Sequence, residues 1–308
     1  MTADIAIGAA GLRKSYRGRP AVGGVDLAVR RGECFALLGP NGAGKTTTVE
    51  ILAGHRGRDA GEVQVLGVDP ARGGRAWRAR IGIVLQRVND LPELTVREAV
   101  HHLARYYPRP RRPEEVIELV GLGARRDART RELSGGQRRR LDVALGIVGG
   151  PELLFLDEPT TGFDPQARRQ FWELVETLRS GGTTILLTTH YLDEAERLAD
   201  RVGVIVRGSL AAVDSPVGLG GRSSAQAVVR WRGPDGPRTE TTDQPAALVH
   251  QLFGRYGELP ELTVSRPTLE DTYLAMIGAS AEAGNEHRGP TTSEYRSDGQ
   301  GERGRRAR

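Results

Sequence analysis

The chain reads Gly39-Pro40-Asn41-Gly42-Ala43-Gly44-Lys45-Thr46 directly after the apolar run Cys34–Leu38. This segment fits the pattern G-x-x-x-x-G-K-S/T, in which glycines let successive backbone N–H groups point inward around phosphate oxygens. The apolar run predicts a buried strand, and a helix is predicted from Gly44 to about Ala53. The segment therefore has the strand–loop–helix context that the pattern requires, and it predicts a nucleotide-binding loop that extends to Thr47.

Two side chains of this loop predict ATP and Mg²⁺ as ligands. Lys45 is one of only two lysines among 44 basic residues, so a lysine at this position stands out. We expect Lys45 to reach the β- and γ-phosphates as a point charge. The Thr46 hydroxyl is suited to hold Mg²⁺.

Composition limits the classes of function. The 308 residues suggest about two domains. The net charge of +5 is small and scattered, which does not by itself indicate nucleic-acid binding. Cys34 is the single cysteine, so no internal disulfide is possible and a reducing compartment is expected. We find neither a signal peptide nor an apolar stretch near the roughly 18 residues of a membrane span, so a membrane function would need another chain.

Strand and helix patterns alternate along most of the chain. Residues 1–38 are predicted to form strands, Val25–Arg31 among them, and further strands are predicted at Glu62–Leu66, Ile81–Leu85, Leu153–Leu156, Thr183–Leu187 and Val202–Val206. Helices are predicted at Pro165–Leu178 and Tyr191–Leu198, with a helical section from Thr95 to about Gly149. This alternation predicts an α/β fold with a mostly parallel sheet.

The last part of the chain has a different composition. Gly218–Ser224 has the composition of a linker, and residues 225–278 predict a small α+β appendage. Its predicted elements are strand Ala225–Arg232, helix Gln244–Phe253, a short strand near Leu262 and helix Thr268–Ile277. Residues 279–308 are rich in Gly, Ser, Glu and Arg, so we expect a disordered tail.

Two carboxylates follow the apolar strand that begins at Leu153. Asp157 would take the Mg²⁺ side, usually through water, and Glu158 would polarise the attacking water as general base. The alternative is a pair of acids at a solvated strand edge. That alternative would be preferred if the loop at 39–46 were absent.

A second candidate phosphate site is the segment Leu133-Ser134-Gly135-Gly136-Gln137, which precedes a predicted helix. Ser134 is suited to a simple N-cap. The same serine hydroxyl and glycine amides also suit an anion at the helix N-terminus. Two phosphate sites in one chain suggest that each serves a nucleotide held by a different copy.

The segments Gly39–Thr46, Leu133–Gln137 and Leu153–Glu158, in this order, resemble the ATP-binding subunit of an ABC transporter. Leu-Ser-Gly-Gly-Gln is the discriminating element, because a phosphate loop alone also occurs in many kinases and GTPases. The resemblance covers about residues 5–215. It implies an ATP-binding cassette at 1–217, with a mostly parallel core sheet, an antiparallel N-terminal β subdomain and a helical subdomain at about 87–150.

The resemblance also implies roles for residues outside these segments. Tyr16 matches an aromatic that stacks on adenine. Gln86 matches a glutamine that contacts Mg²⁺ and attacking water and senses the membrane partner, and His190 matches a histidine that contacts the γ-phosphate. Asp164 matches a dimer contact in the loop that follows the strand-end acids, and it also suits an ordinary helix N-cap before proline. The family often has Leu where this chain has Phe163, which puts the packing of that loop in question.

Arg266–Leu274 resembles the C-terminal segment of drug-export ATPases of the daunorubicin-resistance (ABC-2) type. Taken as pure structure, the segment predicts an amphipathic helix with Leu269, Tyr273 and Ile277 packing on the cassette. The resemblance implies a homodimeric ATPase at the cytoplasmic face of the cell membrane. It would power export of a drug- or antibiotic-like or lipid-like substrate through a separate permease.

A soluble regulatory or nucleic-acid-linked ATPase remains the alternative. Its only support is the arginine-rich tail together with Arg138–Arg140. We expect those three arginines to form a solvated or subdomain face.

Overall fold

A computed structural model describes residues 4–85 and 92–283 of the chain. Its strands are β1 (Ile5–Tyr16), β2 (Arg19–Arg30), β3 (Cys34–Leu38), β4 (Ala60–Val65), β5 (Ile81–Val84), β6 (Leu153–Asp157), β7 (Thr184–Thr189), β8 (Arg201–Val206), β9 (Ser209–Asp214), β10 (Ala227–Gly233), β11 (Gly236–Thr242) and β12 (Thr263–Ser265). Its α-helices are α1 (Lys45–Leu52), α2 (Arg75–Arg78), α3 (Val96–Ala104), α4 (Pro113–Leu119), α5 (Gly135–Ile147), α6 (Pro165–Ser180), α7 (Leu192–Leu198), α8 (Pro245–Tyr256) and α9 (Leu269–Ala283).

The central sheet has the strand order β5-β6-β7-β3-β8-β9. Neighbouring strands from β5 to β8 are parallel, and β9 pairs antiparallel with β8. Every residue of β3 and β6 is buried, as their continuous apolar runs require when both faces of a sheet are covered. The predicted α/β fold is confirmed. The carboxyl ends of β6, β7 and β3 lie side by side at one edge of this sheet.

A second sheet, in the order β2-β1-β4, is antiparallel and forms the predicted N-terminal β subdomain. Its apolar residues, such as Ile7, Val25 and Val63, join one hydrophobic cluster with Val49 of α1. The phosphate loop and its helix are therefore braced from the N-terminal side.

The helical subdomain contains α3, α4 and α5. Thr95 and Glu98 form a capping box at the start of α3. Val100, Ile117 and Val143, one from each helix, are fully or almost fully buried in a common cluster. Two short 3-10 turns lie between α4 and α5, at residues 123–125 and 130–132, where the sequence predicted only a helical section.

Two strands escape sequence-based prediction, and both lie at sheet edges. β9 alternates only between exposed and half-buried residues, and β11 is almost entirely exposed. They form because each follows its neighbour by a tight turn and pairs with it as a hairpin. Their polar faces carry little of the apolar alternation on which such a prediction depends.

The C-terminal region contains the sheet β11-β10-β12, with α8 packed on β10 and Leu252 and Trp231 in its core. The preceding segment, predicted as a linker, includes a 3-10 helix at Leu219–Ser224 in which Leu219 is fully buried. Residues 284–308, most of the predicted tail, lie outside the described residues.

Helix α9 packs on the cassette through the predicted face. Leu269 is 1% exposed and joins a cluster with residues of β3, α7 and β8. Tyr273 and Ile277 pack against the same cluster, whereas Leu274 is 57% exposed. The expectation of an amphipathic helix docked by Leu269, Tyr273 and Ile277 is confirmed.

Replacing Leu269 by Ala should lower the free energy of unfolding by about 2–5 kcal/mol, the usual cost of such a truncation in a core. Leu274→Ala, on the exposed face of the same helix, should stay within about 0.5 kcal/mol of the wild type. Urea unfolding of both variants measures the difference. Equal effects of the two substitutions would contradict the docking of α9 by its Leu269 face.

Candidate nucleotide-binding site

The phosphate loop joins β3 to α1 and passes close to two other backbone segments. A Cβ at Gly39 would overlap the Ile205 carbonyl oxygen of β8, and one at Gly44 would overlap the Ala21 carbonyl oxygen of β2. Gly44 also has φ +103°, in the region that favours glycine. These glycines are therefore required by close approach and backbone conformation, as the motif predicts.

Lys45 lies within this loop and is 5% exposed. Its Nζ donates to the carbonyl oxygens of Gly39, at 2.8 Å, and Pro40, at 3.3 Å. The same Nζ is 3.4 Å from Glu158 Oε1. The ammonium group thus lies between the phosphate loop and Glu158, which follows β6.

Glu158 occupies a left-handed backbone conformation, with φ +47°. Its N–H donates to the Thr188 carbonyl oxygen at 3.1 Å and to the Thr188 hydroxyl at 3.0 Å. Its Oε2 is 3.4 Å from His190 Nδ1. The structure therefore brings Lys45, Glu158 and His190 together at the carboxyl ends of β3, β6 and β7.

Asp157 and Thr46 are the two predicted Mg²⁺ ligands that the structure describes. Asp157 is 1% exposed, and its carboxylate accepts a hydrogen bond from the Thr188 hydroxyl. Carboxylate and hydroxyl oxygens suit this hard cation. The described residues contain no group of three or more His, Cys, Asp or Glu that could hold a metal, so phosphate oxygens and water would complete the shell. Gln86, the third predicted ligand, lies outside the described residues.

Tyr16 ends β1 with 38% of its surface exposed. Arg56 and Lys14 approach its ring, with the charged groups 5.3 and 5.7 Å from the ring centroid. Arg56 also forms an ion pair with Glu50 of α1, which links the tyrosine to the phosphate-loop helix. The ring has accessible surface on which a purine can stack, as the resemblance implies.

The second predicted phosphate site lies at the start of α5. Ser134 and Gln137 form a capping box, with Gln137 N–H donating to Ser134 Oγ at 3.3 Å. Gly135 and Gly136 are the first residues of the helix. A cleft of about 250 Å³ brings Ser134 and Gly136 together with Asp164. No described residue of that cleft belongs to the phosphate loop, so the two predicted phosphate sites do not share it.

Asp164, in the loop after Glu158, is the N-cap of α6, as predicted. The Asp164 carboxylate accepts from Ala167 N–H at 2.8 Å, and Pro165 begins α6. Phe163, the residue that departs from the family pattern, is 9% exposed and packs edge-to-face on Phe171, with 6.0 Å between ring centroids. The larger side chain is accommodated in the hydrophobic cluster that joins α6 to the helical subdomain and the central sheet.

Two buried charged residues near the site, Arg139 and Glu194, were missed from the sequence. Arg139 is 9% exposed, so the expectation of a solvated or subdomain face for Arg138–Arg140 was wrong for this residue. Glu194 of α7 is fully buried. A signal was present, because Arg139 shares helical spacing with Val143 and Ile147 and so falls on the buried stripe of α5.

Glu194 lies beneath the segment that carries His190. It accepts a hydrogen bond from Trp172 Nε1 of α6 at 3.3 Å. Burial raises the pKa of this carboxyl group above its ordinary value, because the surrounding protein disfavours the charged form. The group is thus a buried acid between α6 and the strand–helix turn at His190.

Known proteins resemble this chain over most of its length. Residues 22–161 match the family described as ABC transporter. A Nod factor export ATP-binding protein I from Ralstonia nicotianae is 44% identical over 278 residues, covering 87% of this chain and 86% of the relative. A daunorubicin resistance ATP-binding protein from Streptomyces coeruleorubidus is 37% identical over 307 residues, covering 90% and 97%.

Solved structures share the fold. An ATP-binding subunit of an ABC transporter aligns with a TM-score of 0.64 at 26% identity, covering 69% of this chain and 91% of that one. The dimeric structure of MJ0796, a bacterial ABC transporter cassette, aligns with a TM-score of 0.63 at 24% identity, covering 68% and 98%. Among the described residues, no helix has the length and apolar character to span a membrane.

The raised pKa of Glu194 predicts a pH-dependent stability. The folded state holds the proton more tightly than the unfolded chain, whose carboxyl group titrates near 4.5. The stability that comes from this group is therefore complete below pH 4.5 and is lost as the pH rises through the folded-state pKa. Glu194→Gln, which carries no titrating group, should gain stability relative to the wild type as the pH rises.

Urea unfolding midpoints across this pH range measure the effect. Glu173→Gln, at an exposed position of α6, is the matched control and should show no such trend. A stability difference between Glu194→Gln and the wild type that stays constant with pH would refute the burial argument.

Proposed function

The chain belongs to the ABC transporter family, as an ATP-binding subunit of the export type, and on this premise we propose that two copies hydrolyse ATP to drive export through a separate membrane permease. The chain is an ATPase. One observation carries the proposal. Lys45, Glu158 and His190 meet within 3.4 Å at the sheet edge, while the start of α5 lies in a different cleft.

The first half of the proposed site is the phosphate loop with its neighbours. Backbone N–H groups of Gly39–Thr46 and Lys45 Nζ would bind the β- and γ-phosphates, and Tyr16 would stack on adenine. The γ-phosphate competes with Glu158 for Lys45, so nucleotide binding frees the carboxylate to face water. The remaining residues of the loop would also surround the nucleotide in this half of the site. They are Pro40, Asn41, Gly42, Ala43 and Thr47.

Hydrolysis needs a base beside the γ-phosphate. A water oxygen attacks the γ-phosphorus as the bond to the ADP oxygen breaks, and the water proton passes to Glu158. His190, 3.4 Å from Glu158, orients the carboxylate and contacts the γ-phosphate. When bound, Mg²⁺ neutralises charge on the β- and γ-oxygens, and Asp157, Thr46 and Gln86 would hold it.

The second half of the site would come from another copy. Ser134, Gly135 and Gly136 present a hydroxyl and amides at the N-terminus of α5, which suits an anion. Head-to-tail pairing would place this terminus, framed by Leu133 and Gln137, on the γ-phosphate held by the partner's loop. Asp164 shares the cleft with Ser134 and would contact the partner there. The relative MJ0796 has a dimeric structure of its own.

A basic groove supports the proposal of a permease partner. Adjoining cavities of about 960 and 400 Å³ share Arg78 and Tyr107 and run between α2, β5 and the end of α3. Arg75, Arg78 and Arg105 are exposed along it, and Tyr106 is 57% exposed. We call this surface the α2–α3 groove. It fits a permease segment that carries acidic side chains beside an apolar one.

We propose a drug- or antibiotic-like or lipid-like substrate. The support is that two relatives are described by Nod factor export and by daunorubicin resistance. The ATPase would then lie peripherally at the cytoplasmic face of the cell membrane, bound to the permease.

The rival function, a nucleic-acid-linked ATPase, loses part of its support. Arg139 is buried, and Arg138 and Arg140 are only half-exposed. The three adjacent arginines therefore do not form a continuous basic surface of the kind that binds phosphate backbones.

Changing Glu158 to Gln should leave ATP binding intact and lower turnover by about 10²- to 10⁴-fold, the usual contribution of a general base. The variant should accumulate as an ATP-bound dimer in size-exclusion chromatography with light scattering. Lys45→Ala is the control and should lose ATP binding, the dimer and turnover together. Wild-type turnover in Glu158→Gln would refute the base assignment.

Charge reversal in the α2–α3 groove should separate partner binding from hydrolysis. Arg78→Glu with Arg105→Glu should lower recovery of a multi-span membrane protein with the tagged ATPase by about tenfold, because like charges repel. Basal ATP hydrolysis by the purified protein should not change. Recovery is measured by mass spectrometry from detergent-solubilised host membranes.

Arg112→Glu is the matched control, because Arg112 is a strongly exposed arginine of the same subdomain outside the groove. It should leave recovery unchanged. The docking proposal is refuted if the double variant recovers the membrane protein as well as the wild type, or if Arg112→Glu loses it equally.

A further inference from the structure

Arg139 is a buried arginine that donates to three backbone carbonyl oxygens of the catalytic core. Its Nε donates to Pro159 O at 3.0 Å and its Nη2 to Asp157 O at 2.9 Å. Its Nη1 donates to Leu85 O. The planar guanidinium thus connects the ends of β5 and β6 with hydrogen bonds in three directions. A single ammonium group cannot reproduce this geometry.

Two of the hydrogen bonds of Arg139 go to the residues immediately before and after Glu158. The Asp157 carbonyl belongs to the peptide group before Glu158, and the Pro159 carbonyl lies one residue after it. Glu158 has φ +47°, a conformation that persists in a non-glycine residue only when surrounding contacts enforce it. Thr188 holds the Glu158 N–H from one side, and Arg139 holds the flanking carbonyls from the other.

The charge of Arg139 has little exposure to water. Asp142, one turn along α5, is 3.7 Å from Nη1, and the Asp157 carboxylate also acts on the Arg139 charge. Desolvation by burial lowers the pKa of Arg139 from its ordinary value, yet an arginine remains charged at neutral pH. Burying this charge costs desolvation free energy. A role of Arg139 in fixing the geometry of the backbone around Glu158 accounts for that cost.

The same helix begins within the segment Leu133–Gln137, which we call the signature. Ser134 caps α5 five residues before Arg139, a rise of about 7.5 Å along the axis. The neighbouring arginines point elsewhere, because Arg138 donates to Thr130 O and Arg140 to Gln170 Oε1. Arg139 is therefore the member of the three that joins α5 to the strand ends.

We propose that Arg139 is a positioning residue for hydrolysis: it holds the carbonyl groups of Asp157 and Pro159, the residues on either side of Glu158, and fixes them to α5, whose first residues meet the partner copy's nucleotide. This inference rests on the proposed role of Glu158 as general base. When the signature engages ATP in a second copy, movement of α5 reaches Glu158 and the end of β5 through the hydrogen bonds of this guanidinium, in addition to the apolar packing of α5 on the sheet. Completion of one nucleotide site is thereby coupled to the geometry of the other.

The test is Arg139→Lys, which keeps the charge but supplies donors from a single nitrogen. The turnover number should fall by about 10²-fold, as expected when a catalytic group is displaced by an ångström. The dissociation constant for ATP, measured with a fluorescent analogue, should change by less than about threefold, since the phosphate loop is untouched. Arg138→Lys is the control, because Arg138 also donates from α5 to a backbone carbonyl, and it should match the wild type.

A double variant separates positioning from a general structural role. If Arg139 acts through Glu158, then Arg139→Lys should not lower the residual turnover of Glu158→Gln any further. Multiplicative losses in the double variant would overturn the proposal, as would turnover of Arg139→Lys within threefold of wild type. Failure of the base assignment is visible separately, as wild-type turnover of Glu158→Gln alone.

A chemical rescue experiment distinguishes the loss of the guanidinium group from a folding defect. Arg139→Ala should regain turnover when guanidinium is added at low millimolar concentration, and Arg138→Ala should show no gain. If Arg139→Lys fails to bind ATP, this rescue decides the question. Its absence in Arg139→Ala overturns the proposal.

Discussion

The contact between Lys45 and Glu158, at 3.4 Å, is the interaction on which the rest of the site depends. It joins the loop after β3 to the acid after β6, two segments far apart in the chain. Parallel pairing makes this possible, since β7 lies between β6 and β3 and all three strands end at one edge. His190 follows β7, which lies between the other two strands, and so its imidazole contacts the same Glu158 carboxylate.

The residues around this contact are held more firmly than the motifs alone imply. Glu158 has a backbone conformation that Thr188 and Arg139 enforce from opposite sides. Glu194 lies buried beneath the turn that carries His190. Buried polar groups of this kind are costly, and their concentration around the proposed base fits a site whose geometry matters more than its local stability.

A feature of this fold could be predicted from the sequence when its cause is local in the chain, and could not when it depends on contacts with distant segments. The apolar runs of β3 and β6 and the glycines of the loop are local features, and each predicted its structure. β9 and β11 could not be predicted, because polar edge strands form through pairing and not through burial. Arg139 was misjudged because three adjacent arginines suggest a solvated face, whereas the periodicity of α5 turns one of them inward. Gln86 stays a prediction, since it lies outside the described residues.

The central claim is that each ATP is bound between the phosphate loop of one copy and the signature of another. A mixing experiment tests it most directly: Lys45→Ala and Ser134→Arg, each inactive alone, are combined in equal amounts and assayed for ATP hydrolysis. In a head-to-tail dimer of one copy of each, both lesions fall in one site and the other site is intact. Turnover should therefore return to roughly a quarter of the wild-type value if the copies pair at random, and to more if the Lys45→Ala homodimer does not form. If the mixture stays as inactive as its two components, the shared site is contradicted.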